Sequence, residues 1–280
     1  MKKNILIIAS KGMLAFDLIS QLKNQGIEPI CFAKDEIDIT IENQIIEKIS
    51  SIKPEIIINC AAYTNVDLAE SNIEKAYEVN AEGVKNLALL CKKIDIPLVH
   101  ISTDYIFDGR KNSPYLETDK TNPLNIYGKS KLKGEEYITQ MLDKYYIVRT
   151  SWLYGKNGKN FVETIIKLGL ENNEVKVVDD QMGSPTWTVD LSKAILFIIE
   201  NAPYGTYQVT NSNTCTWRDF AEYIFKIKNI NTKILPVTTD DFPRPALRPR
   251  YSVMSNKKVN ELSFFMPTWQ ESVENYLKLD

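Results

Sequence analysis

An open α/β sheet, its strands parallel and its helices laid on both faces, is what this sequence predicts. Two observations predict it. Short Ile- and Val-rich runs alternate with amphipathic stretches through the first half of the chain, the pattern of strands joined by helical crossovers. Those runs are apolar throughout rather than alternating, as strands covered on both faces must be.

The strand candidates of this half are Ile5–Ala9, Pro29–Ala33, Glu55–Cys60, Leu98–Ser102 and Tyr146–Thr150. Between them lie the helical stretches Leu14–Asn24, Ile41–Ile52, Ile73–Ile94 and Lys129–Leu142. Ile5–Ala9 follows Met1-Lys2-Lys3-Asn4, which resembles the start of a signal peptide. Its apolar part is shorter than the ~7–15 residues such a segment needs, so it is read as a buried first strand. Beyond about residue 150 the pattern loosens into a strand (Val175–Asp179), a helix (Val189–Asn201), a strand (Gly205–Thr210) and a helix (Trp217–Lys228). A loop rich in Pro and Arg, Phe242–Arg250, comes after them. The expected division is residues 1–150 as a dinucleotide-binding domain, to which later segments return, and 151–280 as a mainly substrate-binding domain.

The 280 residues suffice for one large or two modest domains. With 44% hydrophobic and 25% charged residues and a net charge of -2, no basic excess points to nucleic acid. The longest apolar runs are far too short for a bilayer span. Cys31, Cys60, Cys91 and Cys215 lack CxxC spacing, and His100 is the only histidine. Scattered thiols of this kind suit a reduced, cytoplasmic enzyme without a metal site.

Tyr127 and Lys131 stand four apart, on one face of any helix that contains both. A phenol with a pKa near ~10 exchanges protons poorly at neutral pH, and a neighbouring ammonium is expected to lower that value. Thr103, at an upstream strand end, offers a second hydrogen-bond donor to the same carbonyl oxygen. The three together can protonate a carbonyl oxygen while a hydride moves. On its own, Tyr-x-x-x-Lys is a spacing that many solvated helices carry.

A nucleotide in an open parallel sheet lies at the carboxyl ends of the strands, with its pyrophosphate at the first turn. That turn, Ala9-Ser10-Lys11-Gly12-Met13-Leu14-Ala15, retains one glycine of a G-x-x-G-x-x-G pattern. Ala9 adds a Cβ where the turn is tightest. The second strand ends in Phe32-Ala33-Lys34, without the acid that would hold a ribose 2′-hydroxyl. Lys34 and Lys11 stand ready for a 2′-phosphate, or serve as surface charge. Asp38 and Ile39 offer an adenine contact, and small residues at Asn59-Cys60-Ala61-Ala62-Tyr63-Thr64 let a cofactor pass close.

With these residues in place, the chain closely resembles bacterial dTDP-4-dehydrorhamnose reductases of the extended short-chain dehydrogenase/reductase superfamily. The resemblance runs nearly end to end. It is carried by Asn59–Glu70, Val79-Asn80, Ser102–Gly109, Tyr127–Lys131, Arg149–Gly155, Asn160-Phe161, Asp180–Thr186, Thr216-Trp217 and Arg248–Ser252. It implies a Rossmann-like, doubly wound parallel sheet with a smaller C-terminal α/β domain. Asp104 is followed by Tyr105 rather than by the second acid of related dehydratases, so reduction is favoured over elimination.

The resemblance also implies roles. Tyr127 would give its proton to the nascent alkoxide, Lys131 would lower the phenol's pKa and bind the nicotinamide ribose, and Thr103 would orient the carbonyl. Asp104, Tyr105 and Trp152 would line the hexose pocket. Gly12, Met13 and Leu14 would meet the pyrophosphate of NADPH or NADH, with NADPH slightly favoured. Asp38, Ile39, Ala61, Ala62 and Tyr63 would lie on the adenosine side. Arg248 would meet the diphosphate of a dTDP-sugar, unless it pairs with Asp241 or Glu261. His100, Trp217 and Trp269 read as packing residues. Asp17 falls where some members bind Mg²⁺, but no second acid accompanies it and no metal is expected. A homodimer is compatible with the family. The competing reading is a non-catalytic regulatory protein with an eroded first turn, which the intact Thr103, Tyr127 and Lys131 argue against.

Overall fold

The computed structural model describes residues 4–279, and the Met1–Lys3 part of the leader-like segment lies outside them. Its centre is one sheet of six parallel strands: β1 (Ile5–Ile8), β2 (Ile30–Phe32), β3 (Ile56–Asn59), β4 (Leu98–Thr103), β5 (Tyr145–Thr150) and β6 (Gly205–Gln208). Their spatial order is β6-β5-β4-β3-β1-β2. Register follows the isoleucine runs, with Ile7 opposite Ile58 and Ile58 opposite Val99. The order in which successive strands are added reverses between β1 and β3, and a crevice opens there at the carboxyl ends of the strands.

Each face of the sheet buries its own core. On one, Ile7, Ile58, Val99 and Val148 meet Leu18 of the helix Met13–Asn24 and Leu191 and Ile195 of the helix Thr188–Asn201. On the other, Leu6, Ile57 and Ile147 meet Leu87 of the helix Gly83–Ile94 and Ile138 of the helix Ile126–Met141. Both β6 and Thr188–Asn201 come from beyond residue 150 and pack on the sheet.

A third core lies apart, formed by Tyr154, Val162, Ile165, Phe220, Ile224, Trp269 and Val273. The strand read at Val175–Asp179 runs Glu174–Val178 and joins no large sheet. It pairs in parallel with Lys233–Val237, a strand the sequence pattern did not reveal. The helix Phe161–Glu171 was also unread, whereas the segment headed by Trp269 was read as helix-like and runs Trp269–Leu277; each begins at a side-chain cap, Asn160 and Thr268.

Two departures shape the crevice. The stretch Ile73–Ile94 is broken by a π-helical turn at Glu78–Glu82, a distortion found often at functional sites. It brings the buried Asn80 against Tyr63 and Ser130. The Tyr127 helix begins at Ile126 rather than Lys129, because Asn125 caps it by accepting from the Gly128 N–H at 2.8 Å. Among the described residues no helix is long and apolar enough to cross a membrane.

Candidate active site

β4 ends at Thr103, and the chain turns at once into a short 3₁₀ segment, Asp104–Ile106. The Thr103 hydroxyl caps that segment, accepting from the Tyr105 N–H at 3.2 Å, and donates to Asp104 Oδ1 at 3.0 Å. It is also in hydrogen-bonding contact with the Tyr127 phenol. The Tyr127 helix approaches closely because position 128 is glycine. A Cβ there would lie 2.1 Å from the Tyr105 carbonyl oxygen, an impossible contact.

The Tyr105 ring stands edge-on to Tyr127, their centroids 5.8 Å apart. Burial pushes the Tyr127 phenol up to about 12, against the Thr103 hydrogen bond. The expectation that Lys131 lowers this phenol is therefore not met here. Lys131, buried to 1% exposure, donates instead to the Ile101 carbonyl at 2.6 Å and lies 3.1 Å from His100 Nε2. Burial draws its ammonium down to about 8. His100 is fully buried, as a core residue should be, but it touches the site.

One cavity of about 680 Å³ gathers most of the candidates: Gly12, Met13, Leu14, Lys34, Ala62, Thr103, Asp104, Tyr105, Tyr127, Lys131 and Trp152. At its first turn Ala9 takes the left-handed conformation (φ 61°), and the Gly12 N–H donates back to the Ala9 carbonyl at 3.0 Å. The helix Met13–Asn24 starts there with no side-chain cap and no acid in its first turn. Its open N–H groups suit a phosphate. In the cavity wall the buried Ser102 Oγ and Thr150 Oγ1 have no hydrogen-bond partner among the described residues, and burial raises Asp104 to about 6 against its hydrogen bonds with Ser252 and Thr103. An uncapped helix start, unpartnered polar atoms and a buried lysine fit a dinucleotide and a polar substrate.

Other candidates lie elsewhere. Asp38 accepts from the Thr40 N–H and hydroxyl, and Ile39 is buried in the core under the helix Gly83–Ile94. Ala61 and Tyr63 are off the cavity wall. The Ala61 N–H donates to Asn59, and the Tyr63 N–H to Asn80 at 2.8 Å. Lys11 is paired with Asp35 at 3.0 Å, while Lys34 is exposed at the rim. Arg248 pairs with neither Asp241 nor Glu261 but donates to Asp67 at 2.8 Å, and Arg244 joins it at 2.6 Å. Burial alone would raise Asp67; the two arginines and the Ala246 N–H pull it down to about 2.

A second cavity of about 550 Å³ adjoins the first, sharing Tyr105 and Trp217. Phe161, Leu168, Phe242 and Leu247 give it apolar walls, and Arg244 and Arg248 supply charge. Sequence reading passed over Trp217 as packing. Its ring stacks on Trp152 at 3.5 Å, and its Nε1–H donates to Gln181. The Thr216-Trp217 motif was the available signal. Asn80, likewise in a quoted motif, accepts from the Tyr63 N–H and donates to Ser130 Oγ at 3.0 Å, clamping the β3 loop to the Tyr127 helix.

The family model described as RmlD substrate binding domain matches residues 2–280. A solved dTDP-4-dehydrorhamnose reductase of Bacillus anthracis, in complex with NADP, is 42% identical, with a TM-score of 0.97 and 100% of both chains covered. The spore coat polysaccharide biosynthesis protein SpsK of Bacillus subtilis is 40% identical over 98% of this chain and 96% of its own. A dTDP-4-keto-6-deoxy-D-glucose reductase of Streptomyces niveus is 37% identical over 90% of this chain and 88% of its own. With its Rossmann-like sheet and this site, the chain belongs to the dTDP-4-dehydrorhamnose reductase family.

Proposed function

We propose that the protein uses NADPH or NADH to reduce the C4 carbonyl of a dTDP-4-dehydro-6-deoxyhexose, converting dTDP-4-dehydro-L-rhamnose to dTDP-L-rhamnose. The observation that carries the reading is the Thr103–Tyr127 contact, with Lys131 one turn away, in a cavity that adjoins a second. The first cavity would take the dinucleotide and the sugar ring. The second, with its aromatic walls and two arginines, would take the nucleoside diphosphate.

In this reading Thr103 and Tyr127 both hydrogen-bond the C4 oxygen, and Tyr127 passes its proton to that oxygen as the alkoxide forms. Because burial holds the phenol above its ordinary value, Tyr127 stays protonated across the neutral range, as the reductive direction requires. Gly12, Met13 and Leu14 would receive the pyrophosphate, and Lys131 the nicotinamide ribose. The bound reduced nicotinamide supplies the hydride. Asp104, Tyr105 and Trp152 would hold the hexose, which the Trp152–Trp217 stack would separate from the second cavity.

The role would be to supply a deoxysugar nucleotide for surface polysaccharide, in the cytoplasm. The name of the Streptomyces relative favours a second reading, in which the carbonyl belongs to a D-gluco-configured 4-keto sugar and the product is another stereoisomer. The test follows loss of reduced-nicotinamide absorbance with each cofactor and a dTDP-4-keto-6-deoxyhexose, with and without a sugar epimerase. Turnover only after epimerisation supports the rhamnose product. Turnover without epimerase supports the second reading, and no turnover in either case sinks both.

A further inference from the structure

The mechanism gives His100 and Asn59 no part, yet both are fully buried beside Lys131. Asn59 ends β3 and His100 sits in β4, directly opposite it in the parallel register. Their hydrogen bonds leave little freedom in where protons sit. The Ala61 backbone N–H, which can only donate, points at Asn59 Oδ1 over 3.0 Å. The amide oxygen therefore faces Ala61, and the amide Nδ2 faces His100 Nδ1 at 3.1 Å. An amide nitrogen only donates, so Nδ1 must accept.

A neutral imidazole with an accepting Nδ1 carries its proton on Nε2. That Nε2–H points at Lys131 Nζ, 3.1 Å away. An ammonium there would set donor against donor. A neutral amine would accept from Nε2–H while donating to the Ile101 carbonyl.

We infer that Asn59 and His100 are a positioning pair that fixes the imidazole as its Nε2–H tautomer and favours Lys131 as a neutral amine until an anionic group arrives beside it. The surroundings agree. The other titratable groups near Lys131 are Tyr127, one turn back on the same helix and held neutral by burial, Cys60, after β3, whose thiol burial pushes up to about 12, and Glu135, one turn further along the helix. The Glu135 carboxylate, which would favour the ammonium, is gripped by Arg149 at 2.6 Å. His100 cannot take the charge itself, since burial holds it well below the ordinary imidazole value.

The consequence is a proton step. Lys131 Nζ would take one proton from solvent as the anionic dinucleotide enters the cavity that Lys131 lines. It returns that proton when the anion leaves. Cofactor binding at alkaline pH is thus accompanied by proton uptake. This inference rests on the reading of Lys131 as part of a reductase site, but its first test needs no substrate, so the two readings can fail separately.

His100 is the only histidine in the chain, so ¹⁵N-histidine labelling gives one set of ring signals. The neutral Nε2–H tautomer is expected in the cofactor-free protein at neutral and alkaline pH. A neutral Nδ1–H tautomer, or an imidazolium at neutral pH, overturns the inference with no variant made. In Asn59→Asp the carboxylate still accepts from Ala61 and now also from Nδ1–H, so Nε2 becomes an acceptor for the ammonium. The tautomer should invert, and the midpoint of the pH dependence of cofactor affinity should rise by about one unit or more. Added charge alone would raise the midpoint without inverting the tautomer. A folded variant that keeps Nε2–H, or that inverts with an unmoved midpoint, refutes the role given to Asn59. If the variant fails to fold, the wild-type tautomer decides.

Discussion

At the scale of single residues, the phenol and the lysine divide the chemistry, and their variants should separate. Tyr127→Phe removes only the proton donor and should cost ~10²–10⁴-fold in kcat while leaving cofactor affinity unchanged. A variant that keeps more than about a tenth of kcat would rule out that role. Lys131→Ala should lower kcat and also weaken cofactor binding, as titration of the bound nucleotide would show. Cofactor choice should be decided at the rim, which was half legible in the sequence. Ala33-Lys34 lacks the acid that repels a 2′-phosphate, but Asp35, one place further on, holds Lys11 in an exposed ion pair. Such a pair is weak, worth ~0–1 kcal/mol, so a phosphate can take the lysine over. NADPH should serve at least as well as NADH, and Lys34→Ala should reduce that preference. Asp35→Asn should increase it a few-fold, more at low salt. Equal kcat/KM ratios for the two cofactors in all three proteins would reduce these charges to ordinary surface. Asp35 could not be weighed from sequence because the direction of an exposed side chain leaves no periodic trace. Asp67, whose partners lie about 180 positions away, left none either.

Among the elements, the strands were the most legible. Each main-sheet strand was read to within a residue or two, because fully buried apolar runs such as Ile5-Leu6-Ile7-Ile8 and Ile56-Ile57-Ile58 suit only the interior of a two-sided sheet. The helix Trp217–Lys228 was read to the residue, helped by a capping box from Thr216 to Asp219. The pair Glu174–Val178 and Lys233–Val237 was half read, since its second strand is half-exposed and carries a proline. The first turn matters most for function. Ala9, the residue that weakened the glycine pattern, sits at φ 61°, where a Cβ costs ~1–2 kcal/mol. Ala9→Gly should remove that strain, and greater freedom in the unfolded chain should return part of the gain. A net stabilisation of about 0.5–1 kcal/mol is expected by denaturant titration, with cofactor affinity unchanged or better. Destabilisation would mean that the Ala9 methyl makes a packing contact worth more than its backbone costs.

For the whole molecule, the site depends on a loop late in the chain being fastened to the turn after β3. Arg244 and Arg248 reach Asp67 across that span, and the Asn125 side-chain amide donates to the Leu247 carbonyl at 2.7 Å. Phe242, Leu247 and both arginines wall the second cavity, so this fastening sets the shape of that cavity. Asp67 is held at about 2, below the ordinary carboxylate range. A lowered folded-state value means its stabilisation is complete above the unfolded value of ~3.9 and is lost as pH falls through about 2. The loop should therefore stay fastened at any working pH, and only a mutation would release it. Asp67→Asn keeps the shape but removes the charge that both guanidinium groups share. The segment from Phe242 to Arg250 should then exchange its amides faster and become open to proteolysis, while the sheet keeps its protection. Substrate KM should rise about three- to tenfold, because the order lost in the loop must be restored on binding, at ~1 kcal/mol. Cofactor affinity should not change, since neither arginine lines the first cavity. Exchange and KM unchanged together would make the three-residue ion pair dispensable and leave the Asn125–Leu247 hydrogen bond to hold the loop. A KM that fell would mean that Asp67 competes with the substrate's diphosphate for Arg248, and that the ion pair restrains binding.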